Sequence, residues 1–151
     1  MSLGSTYAAQ GATDKAEDSL REAIQLSSTC HNLRTALLAI RTLANLYVEQ
    51  GKLPQAWQLY HEGLRISNEK SLAALPPLGF MYVGLGELCY EWNDLHKARE
   101  YLQKGIELGQ RGGDIKIWLL GYAGLMQTLL ALGKSSQTWS LFTEVEELIA
   151  L

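Results

Sequence analysis

The residues whose side chains could perform chemistry are few, and they are scattered along the sequence. The usual donors to a transition metal are three histidines and two cysteines, namely His31, His61, His96, Cys30 and Cys89. A metal site needs such donors at characteristic short spacings, and these residues do not have them. We therefore expect solvated histidines, a buried Cys89 that behaves as a small apolar side chain, and a Cys30 in a loop with nothing to activate its thiol.

Two further patterns could suggest a reaction, and each has a simpler explanation. The acidic run Glu144, Glu146 and Glu147 could supply acid–base groups, but a solvated helix face accounts for it. The segment Gly84-Leu85-Gly86 lies within a predicted helix, where it cannot cradle a phosphate. The sequence therefore predicts a protein without enzymatic activity, cofactor or metal.

The composition limits the classes of partner. The 151 residues include 13 Lys and Arg against 16 Asp and Glu, and the basic residues are scattered. Direct contact with nucleic acid needs a clustered basic surface, so we expect none. No apolar run approaches the roughly 20 residues that span a bilayer, which argues against membrane insertion. Two cysteines without metal-type spacing favour a reduced, cytoplasmic compartment.

A spacing that recurs four times indicates the elements that position these residues. A Gly or Asn is followed five residues later by a small residue, and four residues after that by a bulky one. The sets are Gly11, Ala16, Leu20; Gly51, Ala56, Tyr60; Asn93, Ala98, Leu102; and Gly133, Thr138, Phe142. Their first members lie 40, 42 and 40 residues apart. Such a period is typical of helical hairpins that bury their apolar faces by stacking.

Helical periodicity and turn residues divide the chain into four repeats. Their approximate bounds are 1–29, 30–72, 73–113 and 114–151. In the second repeat, apolar residues recur with helical spacing over 33–49, Gly51 ends that helix, and Pro54 fits the first turn of the next. The sequence therefore predicts an all-α, right-handed superhelix of about four antiparallel helical hairpins, forming one domain.

Capping residues mark the other hairpins. Asp94 and Ser135 follow the third and fourth turns, and we expect each to cap the helix after it. The first repeat should turn at Gly11 and restart at Thr13, which leaves its first helix at most ten residues. So short a helix predicts a fragment of a longer protein, with an uncovered apolar end through which copies associate end to end.

The repeat positions resemble the tetratricopeptide (TPR) pattern. In the third repeat the pattern is carried by Tyr82, Leu85-Gly86, Cys89, Ala98, Leu102 and Gly105. Common TPR units have about 34 residues. The longer period, with the segments 84–95 and 102–109, is similar to the repeat sensor of MalT-like regulators in the LuxR family. The resemblance implies an effector- or partner-binding segment of a transcriptional regulator. The alternative is a protein-interaction scaffold without a small-molecule ligand.

The resemblance also implies a binding groove lined by the first helices of successive repeats. The candidate residues are Arg41, Asn45, Glu49, Phe80, Glu87, Tyr90, Gln127 and, at the groove entrance, Trp118. Hydrogen-bonding groups beside aromatic rings suit a polar small molecule or a peptide segment. Phe80 and Gly84 stand where chaperone-binding TPR adaptors hold a carboxylate, which disfavours that class. Trp57 and Trp139 share one repeat position, and we expect both to pack between repeats.

Overall fold

The computed structural model describes residues 3–29, 32–69 and 77–151, and every regular element among them is an α-helix. The helices are α1 (Leu3–Thr29), α2 (Leu33–Glu49), α3 (Leu53–Glu69), α4 (Pro77–Glu91), α5 (Leu95–Gly112), α6 (Ile115–Ala131) and α7 (Ser135–Ile149). The predicted all-α class is therefore confirmed. The chain forms two compact units, an N-terminal unit over Met1–Gly63 and a C-terminal unit over Leu64–Leu151.

Three predicted turns have the same backbone geometry. Gly51, Asn93 and Gly133 adopt left-handed conformations with φ of 73°, 59° and 73°. After each of them the next amide donates to a carbonyl five residues earlier, as from Lys52 to Tyr47 at 2.8 Å. This bond satisfies a carbonyl that the helix end would leave unpaired. The helix pairs α2 and α3, α4 and α5, and α6 and α7 therefore begin and end where the spacing placed them.

The predicted turn at Gly11 is wrong, because α1 continues through it as one helix of 27 residues. Gly11 is absent from the left-handed positions, and no atom of another element lies within 4 Å of where its Cβ would be. Good helix formers, Ala8, Ala9 and Ala12, flank it. One glycine costs a helix only about 1 kcal/mol, which is less than a break would cost in lost hydrogen bonds. Thr13 consequently lies inside the helix and does not cap it.

Small residues let the helices of the C-terminal unit approach closely. A Cβ on Gly105 of α5 would lie 2.6 Å from Val83 Cγ2 and 3.1 Å from the Gly79 carbonyl oxygen of α4. Ala98, at the small-residue position of α5, is fully buried. Larger side chains at these crossings would push the helix axes apart, so the pairing of α4 with α5 depends on them.

Side-chain caps position α5 and α6 but not α7. The Asp94 carboxylate accepts from the Lys97 amide at 3.3 Å, which confirms the predicted cap. Asp114 does the same for α6, accepting from the Ile117 amide at 3.3 Å. Ser135 is already the first residue of α7, and Lys134 occupies the cap position without a side-chain bond. The predicted Ser135 cap is therefore wrong by one residue.

Candidate binding site

The eight predicted groove residues lie on three first helices. Arg41, Asn45 and Glu49 lie on α2 of the N-terminal unit. The other five lie on α4 and α6 of the C-terminal unit, namely Phe80, Glu87, Tyr90, Trp118 and Gln127. The structure assigns each group to its own unit, and the groove that the sequence predicts stays a prediction.

The α2 group forms a polar row on one helix face. Its three residues are four positions apart, so their side chains lie one turn above another. Asn45 and Glu49 are exposed and Arg41 is half-buried. The Tyr60 hydroxyl of α3 donates to Asn45 Oδ1 at 2.9 Å. This contact fixes the Asn45 amide, so the row presents an oriented hydrogen-bonding group beside two charges.

The α4 and α6 group contains both core and surface residues. Phe80 is only 7% exposed and therefore belongs to the core of the unit. Glu87 and Gln127 occupy equivalent repeat positions on two helices that pack against each other, and both are exposed. Tyr90, three residues after Glu87 on α4, is half-buried. The surface of this group therefore consists of a carboxylate, an amide and a tyrosine edge.

Trp118 is held at the start of α6. Its ring meets Tyr122 edge-on, with the centroids 5.9 Å apart. Its backbone lies against α5, where a Cβ on Gly109 would come within 2.8 Å of the Trp118 nitrogen. The half-buried indole therefore offers one edge, in a fixed orientation, at the position that the sequence assigned to the groove entrance.

The two tryptophans of the shared repeat position have different surroundings. Trp57 is half-buried, and its ring lies tilted against that of His61, with the centroids 4.6 Å apart. Trp139 is 71% exposed and meets only Phe142 among the described rings, edge-on at 6.0 Å. The prediction that Trp139 packs between repeats is therefore wrong. The physical reason is that no described helix covers this face of α7, so the equivalent position has no packing partner there.

A hydrogen-bond network that the sequence analysis missed ties three helices together. The buried Tyr122 hydroxyl of α6 donates to Glu144 Oε1 of α7 at 2.8 Å, and Gln110 Nε2 of α5 donates to that hydroxyl at 3.1 Å. Burial, together with the bond to the Glu144 carboxylate and its charge, raises the pKa of Tyr122 to about 12. Glu144 is exposed, as the sequence predicted, and it also accepts a hydrogen bond from another helix. The three residues lie on separate helices, so no local pattern could reveal them.

Replacing Tyr122 with phenylalanine should lower the free energy of unfolding by about 1 kcal/mol at neutral pH, since two hydrogen bonds to one hydroxyl are lost. Because the folded pKa of about 12 lies above the ordinary 10.0, the folded state holds the proton more tightly. The stabilisation is therefore complete below pH 10 and is lost as pH rises towards 12. Urea unfolding of both proteins should show the difference shrinking over that range. A pH-independent difference would contradict this assignment.

A second network joins α1 to α2 in the N-terminal unit. On α1, Arg21 Nη2 pairs with Glu17 Oε1 one turn earlier, at 3.0 Å. The Tyr47 hydroxyl of α2 donates to Glu17 Oε1, and Arg21 Nη2 donates to that hydroxyl. The bond from Tyr47, helped by Arg21, holds the pKa of Glu17 below its usual value. This network holds α1 against α2.

The side chains that could act as a nucleophile, a base or a metal ligand do not form a cluster in the described part of the chain. Cys89 is buried, and burial raises the pKa of its thiol, which makes it a poor nucleophile. Burial lowers the pKa of His61, and His96 is exposed. Cys30 and His31 lie outside the described residues. Over 3–29, 32–69 and 77–151 no three His, Cys, Asp or Glu side chains are grouped to hold a metal.

The described helices also give no candidate for a membrane span, since none combines sufficient length with sufficient apolar character. The candidate binding features of the described helices are exposed surfaces. It consists of polar rows on α2, α4 and α6, and an apolar exposure on α7.

Comparison with known proteins identifies related sequences and a related fold. Residues 1–150 match the family model described as the MalT-like TPR region. The HTH-type transcriptional regulator MalT of Vibrio campbellii (strain ATCC BAA-1116) is 22% identical over 139 residues. That similarity covers 92% of this chain but 15% of the regulator, so the chain corresponds to a small part of the relative's length.

A solved structure supports the fold independently of this sequence match. The crystal structure of BtubC (BKLC) from P. vanneervenii superposes with a TM-score of 0.71 at 22% sequence identity. The match covers 89% of this chain and 54% of the other. Similarity at that identity establishes a shared helical-repeat architecture.

Proposed function

We propose that this chain, which belongs to the family of MalT-like TPR regions, is the effector- or partner-binding segment of a LuxR-family transcriptional regulator. The observation that carries the proposal is the family match over residues 1–150, which spans nearly the whole sequence. The weaker similarity to a regulator with a helix-turn-helix name supports it. Such a regulator acts in the cytoplasm, and its DNA contact belongs to a part other than this chain.

The polar rows give this segment a physical basis for binding. On α2, the oriented Asn45 amide lies between the charges of Arg41 and Glu49. On α4, the exposed Glu87 lies one turn before the half-buried Tyr90, and α6 carries the exposed Gln127. Hydroxyl-rich ligands are recognised by such combinations of amides, carboxylates and aromatic edges. A polar small molecule is therefore the class of effector that these rows favour.

The proposal is tested by titrating the 151-residue chain with a panel of sugars and polar metabolites while following tryptophan fluorescence. We expect at least one compound to give saturable binding, and Gln127→Ala to weaken that binding about tenfold by loss of one well-placed hydrogen bond. Gln103→Ala is the matched control, because Gln103 is also an exposed amide and lies on α5, which carries none of the polar-row residues. Its binding should equal that of the unmodified chain.

Two results would contradict the proposal. One is the absence of any saturable ligand, together with capture of a defined peptide or protein by the same surface, which would favour the scaffold alternative. The exposed Trp139 and Phe142 give that alternative its physical support. The other is a parent reading frame that encodes no helix-turn-helix module, which would remove the regulator assignment while leaving the fold unchanged.

A further inference from the structure

A pocket of about 230 Å³ lies between α5 and α7 in the C-terminal unit, and α6 contributes to its lining. We call it the α5/α7 pocket. Leu125 and Leu129 of α6, each 5% exposed, supply apolar surface to it. The polar side chains that line it come from α5 and α7 and carry both signs of charge, namely Arg99, Gln103, Gln137, Ser140 and Glu144. Apolar surface with a few polar groups is the usual composition of a small-molecule site.

The α7 wall of the pocket faces the first helix of its own hairpin. The third and fourth turns are equivalent, so each α7 residue corresponds to the α5 residue 40 positions earlier. Glu144 therefore corresponds to Lys104, whose ammonium nitrogen lies 5.7 Å from the ring centre of Tyr82 in α4. Glu144 itself accepts a hydrogen bond at 2.8 Å from Tyr122, the equivalent of Tyr82 in α6. In both hairpins this face of the second helix therefore turns towards the first.

The helix that comes next in the stack packs on a different face. A Cβ on Gly124 of α6 would lie 2.8 Å from Leu102 Cδ2, so α6 packs on the Leu102 face of α5. The equivalent of Leu102 in α7 is Phe142, which does not line the pocket. A helix packed on α7 as α6 is packed on α5 would therefore cover Phe142, whatever its origin, and would leave the α5/α7 pocket open.

The two charged groups of the pocket are not paired with each other. Arg99 is half-buried and takes part in none of the ion pairs among the described residues. The bond from Tyr122 uses one lone pair of Glu144 Oε1, which holds the carboxylate in place and leaves its other lone pairs available. In the repeat register Glu144 lies five residues beyond Arg99, which is about 7.5 Å along the helix axis. The pocket therefore presents a held carboxylate and an unpaired guanidinium.

We propose that the α5/α7 pocket binds an aliphatic α-amino acid in its zwitterionic form. The ligand carboxylate meets the planar Arg99 guanidinium, whose geometry suits bidentate recognition. Its ammonium donates to Glu144, and its side chain lies on Leu125 and Leu129. Two charge-assisted bonds of about 2.8 Å, with the charged groups of one α-amino acid between them, span about the separation that the register gives. A purely anionic ligand would be repelled by Glu144, and a purely cationic one by Arg99.

The probe is L-leucine, titrated into the 151-residue chain by isothermal calorimetry. We expect saturable binding with a Kd of about 0.1 mM, since so small a ligand makes few contacts. N-acetyl-L-leucine lacks the cation and resembles the last residue of a peptide. L-leucinamide lacks the carboxylate and resembles the first residue of a peptide. Each should bind about tenfold more weakly than leucine, because one charged group of the pocket loses its partner.

Substitutions of the two charged residues should act on different parts of the ligand. Arg99→Gln should weaken leucine about tenfold and remove its preference over leucinamide, while the preference over N-acetyl-leucine remains. Glu144→Gln should do the reverse. Arg111→Gln and Glu147→Gln are the matched controls, since both residues are exposed on the same helices outside the pocket lining, and they should change nothing. Circular dichroism must show that each variant is folded, and Ser140→Leu, which fills the pocket, replaces one that is not.

The pocket residues lie on second helices and the polar rows on first helices, so this proposal and the proposed function can fail separately. Gln103→Ala should weaken leucine about threefold, because Gln103 lines the pocket, whereas Gln127→Ala should leave it unchanged. A ligand of the polar rows gives the opposite pattern, and with leucine that pattern overturns the proposal. So does the absence of saturable leucine binding, equal affinity for the three compounds, or binding that Arg99→Gln and Glu144→Gln leave unchanged.

Discussion

Replacing Leu102 with alanine is expected to lower the free energy of unfolding by about 3 kcal/mol, the typical cost of removing a buried leucine and leaving a cavity. Leu102 is fully buried, and it fills the space between two glycines. A Cβ on Gly86 of α4 would lie 2.5 Å from Leu102 Cγ, and one on Gly124 of α6 would lie 2.8 Å from Leu102 Cδ2. Neither glycine has a side chain that could move into the cavity, so the site cannot collapse easily.

Phe142→Ala is the matched control, because Phe142 is the same repeat position on α7 and is 42% exposed. If repeat position alone set the loss of stability, truncating the larger Phe142 side chain would cost more than truncating Leu102. We expect instead a cost below about 1 kcal/mol, as for a partly exposed residue. Urea unfolding followed by circular dichroism measures both values. Equal costs for the two variants would show that α6 does not cover Leu102 as described.

Gly109→Ala is expected to destabilise the chain by about 2 kcal/mol, although alanine is the better helix former. The added Cβ would lie 2.8 Å from the Trp118 backbone nitrogen and 3.0 Å from Ile117 Cβ. A flexible side chain could move away, but these atoms belong to the first turn of α6, which Asp114 caps. The whole start of α6 would have to shift away from α5.

The same substitution at Gly11 should change the free energy of unfolding in the opposite direction. Gly11 lies within α1, and no other element is within 4 Å of its Cβ position. Gly11→Ala should therefore stabilise the chain by about 0.5–1 kcal/mol through helix propensity alone. Thermal unfolding followed at 222 nm compares the two variants. A gain in stability at Gly109, or a loss at Gly11, would contradict the helix contacts on which both predictions depend.

Most of the turns, and the cap of α5, could be predicted from the sequence. Gly51, Asn93 and Gly133 turn the chain where the spacing placed them, and Asp94 caps α5. These features depend on a few neighbouring residues, whose backbone preferences are local properties. The predicted turn at Gly11 was wrong because a single glycine among alanines is compatible with a continuous helix as well as with a turn.

The candidate surfaces were predicted less completely, because exposure depends on residues distant in sequence. Phe80 was assigned to the groove by its repeat position, but it is buried in the C-terminal unit. Glu144 is exposed as predicted, but nothing in the sequence indicated that the Tyr122 hydroxyl of α6 donates to it. Trp139 was assigned to packing between repeats, but it is the most exposed of the tryptophans described in full. In each case the outcome depends on whether another described helix packs against the residue.

The sequence by itself therefore determined the all-α repeat, its period and its turns, since these follow from propensities that act over four or five residues. Only the tertiary structure decided which equivalent positions are covered. Leu102 and Phe142 occupy the same place in their hairpins, yet one is fully buried and the other is exposed. The reason is that a repeat buries its apolar face only against its neighbour, so burial is a property of the stack and not of the residue.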